Sequence, residues 1–109
     1  MSDFATSIER LLTQVRHWEE SRWSARAGAE SAAGGDSASK ADQAFALVQR
    51  LADLDAEAAG RAPREVPRLH DLVLPDQLRV VSDDLLAASP GPELLTIATA
   101  AVDEFRRIV

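Results

Sequence analysis

Gln43-Ala-Phe-Ala-Leu-Val-Gln-Arg-Leu-Ala-Asp-Leu-Asp-Ala-Glu-Ala-Ala-Gly60 is the stretch whose reading decides the fold. Ala44, Val48, Leu51 and Ala58 recur at four- and three-residue steps, with Leu47 and Leu54 beside them, which is the period of one helix face. Ser39 and Asp42 stand three apart just before this run and predict a capping box. Gly60 supplies the positive φ that ends such a helix, and Pro63 forbids its continuation. The predicted helix covers roughly residues 40–59. Its apolar face must be buried, so the rest of the chain has to supply partners. One residue breaks the pattern: the same steps put Asp55 in the middle of the apolar face. A carboxylate there must reach water, meet a cation or stay protonated. An up-down-up-down bundle would offer it Arg106 or Arg107 from the end of the last helix, and Arg61 is the local alternative.

Upstream, Phe4, Ile8, Leu11, Val15 and Trp18 repeat the spacing, with Leu12 on the flank, and predict a first helix over roughly 3–22 with Asp3 as N-cap. Ser24 to Ser39 is Ala, Gly and Ser around Gly34-Gly35 and reads as a loop. Some 16 residues can span ~50 Å, so helices 1 and 2 can be parallel or antiparallel. Downstream, Pro63 and Pro67 exclude helix, yet Val66, Leu69, Leu72, Val73 and Leu74 are too apolar for a free linker. This Pro-rich segment is expected to lie along the core. Pro75 suits the first turn of a third helix over roughly 75–88, with the seam Leu78, Val81, Leu85 and Ala88. Val80 and Leu86 fall off that seam and predict a second contact. Ser89-Pro-Gly-Pro92 stops the chain before a fourth helix over roughly 92–108, whose apolar residues from Leu94 to Val109 fill an arc of about 160°. An arc that wide touches two neighbours. With no strand alternation and no repeat, the expected fold is all-α: a four-helix bundle in a single domain, residues 1–109, with a long Gly/Ala/Ser loop between helices 1 and 2 and the Pro-rich segment between helices 2 and 3.

Composition narrows the function. The chain has 109 residues, a 46% hydrophobic fraction, no cysteine and a net charge of −6. The absence of cysteine excludes disulfides, thiolate nucleophiles and zinc–thiolate sites. The acidic balance argues against nucleic acid as a partner, because phosphate contacts need a positive surface. No apolar run reaches membrane-spanning length and the N-terminus is acidic, so the expected setting is the cytoplasm, without membrane contact.

No motif carries chemistry. His17 and Glu20 have a ligand-like spacing, but the only other histidine, His70, sits in the Pro-rich segment, and a helix C-terminus explains His17. Asp53-x-Asp55-x-Glu57 lacks the glycine turn and distant Glu of a calcium loop. Neither catalytic residue, metal site nor cofactor is expected. Trp18 continues the core stripe, whereas Trp23 lies beyond the predicted helix and would anchor a loop or line a cleft. Arg61, Arg64 and Arg68 with His70 form the one locally basic stretch, suited to a carboxylate or phosphate on a partner or to solvent.

Phe45-Ala-Leu-Val-Gln-Arg-Leu-Ala-Asp-Leu, Val66-Pro-Arg-Leu, Leu74-Pro-Asp-Gln-Leu-Arg-Val-Val and Asp84-Leu-Leu-Ala-Ala together resemble small uncharacterised helical proteins of actinobacteria. That resemblance implies a compact intracellular helical domain and no particular activity. A helix ending near a Trp, as at Trp23, followed by a loop is also similar to the DinB-like bundles, which bind a metal through three histidines. Here Ala46, Gln49 and Arg50 occupy the middle of helix 2, and the resemblance implies a bundle without the metal. The expected function is a non-enzymatic helical interaction module, acting through protein–protein contact or self-association as a homodimer. The alternative is a small-molecule-binding or degenerate DinB-like bundle with a pocket near Trp23, Arg61, Arg64, Arg68 and His70, and Asp55 is a further candidate contact.

Overall fold

The computed structural model describes residues 3–26 and 38–109. The described chain is all-α: α1 Asp3–Val15, α2 Glu20–Ser24, α3 Lys40–Ala59, a 3-10 turn Asp71–Val73, α4 Leu74–Ala87 and α5 Pro92–Ile108. Among the described residues there is no strand, only an isolated bridge between Arg26 and Ser39. Most of the expected Gly/Ala/Ser loop lies outside the described residues, as does the side chain of the expected cap Asp3.

Helix α3 begins and ends as its sequence predicts. Ser39 Oγ accepts the Asp42 N–H at 3.0 Å, and the Asp42 carboxylate accepts the Ser39 N–H at 3.0 Å. This is the reciprocal capping box. At the other end Gly60 takes φ +71°, the Gly60 N–H donates to Glu57 O and the Arg61 N–H to Ala56 O. Those two bonds form a Schellman closure. It turns the Arg61 side chain back, and Arg61 Nη2 meets Asp55 Oδ2 at 2.8 Å, with the Asp55 side chain 13% exposed. Nothing lies within 4 Å of a Cβ added at Gly60. Gly60→Ala should therefore cost only the conformational penalty, about 1–2 kcal/mol in urea unfolding.

The first helix is shorter than its periodicity predicts. Instead of one helix over 3–22, α1 stops at Val15, and α2 restarts after an extended Glu19 at φ −85°, ψ 168°. The apolar stripe continues through the break, because Trp18 remains buried. A continuous helix would point Trp18 and Trp23 roughly 140° apart. The break brings their rings together edge to face, centroids 4.7 Å apart, and lays α2 against α3 and the 3-10 turn. Five helices thus replace the expected four among the described residues.

Between α3 and α4 the chain forms a strap that runs back along α3. Arg61 meets Asp55, the Val66 N–H donates to Gln49 Oε1 at 2.8 Å, and Arg68 reaches Asp42 at 3.1 Å. Gln49 Nε2 also donates to Arg64 O, so one side-chain amide pairs with the strap as a neighbouring backbone would. Gln77 of α4 donates to Pro67 O at 3.1 Å. The expected cover is real at Val66, which packs on the core, while Leu69 and Leu72 stay about half exposed.

The strap delivers α4 to the start of α3, and the two helices run side by side in the same direction, the most extensive contact of the fold. A short link through Ser89, whose φ is +52°, then sends α5 back antiparallel to α3. α1 points toward the start of α3, where α2 packs, so α1 and α5 run parallel. This order is not up-down-up-down. Arg106 and Arg107 end far from Asp55, and the local Arg61 takes the carboxylate. α1 packs on α4 and α5, and α3 packs on the same two helices. Phe4, Ile8, Leu11, Val15, Leu51, Leu78, Leu85 and Val102 fill the shared core. Val80 and Leu86, expected to make a second contact, are exposed.

Candidate functional site

The residues singled out in the sequence do not converge. Asp55 and Arg61 form one pair at the end of α3. Arg68 belongs to a group at its start, between Asp42 at 3.1 Å and Asp71 at 3.7 Å, with its guanidinium carbon 5.0 Å from the centre of the Phe45 ring. Asp42 and Asp55 are separated by roughly 20 Å of helix. Arg64 contributes its carbonyl to Gln49, and its side chain is exposed. Trp23 is fully buried, and its Nε1 has no hydrogen-bond partner among the described residues. It packs against Trp18, whose ring centre has the Arg22 guanidinium at 5.0 Å and the Lys40 ammonium at 5.4 Å.

His70 holds two elements together. Its Nδ1 accepts the Leu72 N–H at 3.1 Å, so the ring proton sits on Nε2, which donates to Glu20 of α2 at 2.8 Å. The spacing of His17 and Glu20 is that of a ligand pair, but Glu20 meets His70. Among the described residues no group of three or more His, Cys, Asp or Glu is placed to hold a metal ion, and no helix is long and apolar enough to cross a membrane.

Asp42 carries the clearest electrostatic signature of this group. The Ser39 N–H, and after it Arg68, hold its carboxyl below the ordinary value of 3.8. The folded chain therefore takes up this proton less readily than the unfolded chain. Its stabilisation is complete above the unfolded value and is lost as pH falls through the lowered one. The stability gap between the native chain and Asp42→Asn should be full near pH 6 and shrink below about pH 4 in urea melts. A gap that widens toward acid would contradict this assignment.

The concavity with a distinct chemistry lies elsewhere, between α3 and α5. Gln43, Ala46, Leu47 and Arg50 form one wall, and Ile97, Ala100, Ala101, Glu104, Phe105 and Ile108 the other. It is a groove of ≈ 550 Å³, open to solvent, with an apolar floor. Ile97 is 39% exposed there. The floor exists because α5 spends Ala98, Val102 and Phe105 on the core while Ile97, Ala101 and Ile108, at one edge of its wide arc, are only partly covered. On the rims, Glu104 pairs with Arg107 of its own helix, and Arg50 has no ionic partner among the described residues. A second open depression follows α1 from Ala5 to Gln14 beside Arg106, and Glu9 within it is already held by Arg79 at 2.8 Å.

The sequence showed this groove only indirectly, as an arc of α5 wider than one neighbour needs. Arg50 and Ile97 were not among the candidates, since neither type nor spacing distinguishes them from ordinary surface. Comparison with known protein families, with curated proteins and with solved structures finds no match.

Proposed function

We propose that α1, α3, α4 and α5 act as a four-helix bundle whose work is protein–protein contact through the groove between α3 and α5. The observation that supports this reading is the groove itself: apolar floor, exposed Ile97, and on the rim Arg50, which has no ionic partner among the described residues. Two helices side by side with such a floor accept a third helix, whose apolar residues at i, i+3, i+4 and i+7 fill the space between them. The side chains best suited to chemistry are engaged in holding the fold. Asp55 closes the Schellman turn with Arg61, Arg68 ties the strap to the capping box, and His70 ties the strap to α2. A small-molecule site would call for an enclosed pocket with converging polar groups, and this groove is open to solvent with a mostly apolar lining.

In-cell photo-cross-linking tests this. A benzophenone side chain in place of Ile97 should yield a discrete protein adduct, whereas the same group in place of the exposed Glu57 should yield none. Absence of any protein adduct from position 97 would rule the reading out.

A further inference from the structure

Building on that reading of the groove, we propose that its occupant is α5 of a second copy of this chain, docked antiparallel about a two-fold axis. The outward arc of α5 carries Ile97, Ala101, Glu104 and Ile108 at four-, three- and four-residue steps. That is the seam spacing of paired helices, presented on the flank of α5 beside the core, where Ile97 and Glu104 are exposed and Ala101 and Ile108 are half-buried. Reversing a second α5 over the first about a point between Ala101 and Glu104 sets Ile97 against Ile108 of the partner subunit at both ends. In the middle, Ala101 faces Glu104 of the partner subunit, and the small alanine lets the two backbones approach.

Charge fixes the choice of partner. Because α5 runs opposite to α3, the groove sets the Arg50 end of α3 beside the Ile97 end of α5. A reversed second α5 then brings Glu104 of the partner subunit beside Ala101 and toward Arg50. Arg50, without an ionic partner among the described residues of one copy, thus meets Glu104 of the partner subunit, which its own Arg107 also holds, and the two-fold axis repeats the contact. An interface that places each rim charge against its opposite in a second copy is self-complementary, which is what an isologous dimer requires. Ala46 and Leu47 of α3 complete the apolar bed under the incoming helix. The seam is about 16 Å long, so the contact lies at the small end of specific interfaces, with an expected Kd in roughly the micromolar range.

Sedimentation equilibrium of the purified full chain tests this, with circular dichroism melts as the check on folding. The native chain should dimerise below ~500 µM. Ile97→Glu changes an exposed residue, so the variant should fold normally and sediment as a monomer. Arg50→Glu and Glu104→Arg should each weaken the dimer roughly tenfold. The two together should restore it, because each new charge again meets its opposite in the other copy. A native chain that stays monomeric, a dimer indifferent to Ile97→Glu, or a double variant as weak as the singles would each overturn the proposal. If the purified chain is monomeric while position 97 cross-links to a different protein in cells, the second copy is wrong and the groove still stands as a docking site.

Discussion

A chain ending at Ala101 should lose its cooperative melt altogether. α5 packs on both α1 and α3, and the deletion removes the fully buried Val102 together with Phe105, which is 4% exposed. Phe105→Ala alone should cost about 3–5 kcal/mol, because the surrounding helices cannot collapse far enough to fill the space. Against a total stability of roughly 5–15 kcal/mol for a chain this size, that is a drop in Tm of about 15–30 °C. Thermal circular dichroism of both variants measures it. A near-native melt after the truncation would mean that the last two turns of α5 are an appendage to a core that closes without them.

The second large effect is expected at Trp23. Five residues are too few for a helix to persist by itself, so α2 exists because Trp23 is buried against Trp18 at the junction with α3. Trp23→Ala should cost about 3–5 kcal/mol and release α2 as well. Trp23→Phe should cost clearly less. It keeps an aromatic ring and removes an indole N–H that is buried without a partner among the described residues. Urea melts order the variants, and hydrogen exchange at the amides of α2 reports its release. Equal losses for Ala and Phe would show that the N–H has a partner in solution.

The ends of α3 were legible in the sequence because their causes are local. Ser39, Asp42 and Gly60 each act on backbone within a few residues of themselves. The same holds for Asp55, whose place on the apolar face demanded a cation and whose nearest one past the helix end supplied it. The break after Val15 was not legible, since His17-Trp18-Glu19-Glu20 contains no helix breaker. It is imposed by the burial of two tryptophans that one straight helix would point apart. The direction of α4 was hidden for a related reason. Two prolines announce an extended segment but not where it goes, and its path depends on Gln49 and Gln77, polar residues that periodicity reads as surface. The groove escaped for a third reason: its chemistry lies in a missing partner for Arg50, and a sequence does not show which charges remain unpaired.

The strap also has a consequence in time. Gly60 to Val73 must be laid back along α3 before α4 can reach its place, whereas the four residues Ala88 to Gly91 suffice to bring in α5. Closing the longer segment costs about 1 kcal/mol more chain entropy than closing the shorter one. The most extensive helix contact of the fold therefore depends on the slower closure, and the amide bonds of Gln49 and Gln77 form only once that closure is made. Bonds formed after the rate-limiting step leave the folding rate untouched and lengthen the life of the folded state. These two glutamines are therefore expected to set how slowly the protein comes apart and to leave unchanged how quickly it comes together, which stopped-flow unfolding and refolding of Gln49→Ala and Gln77→Ala would measure.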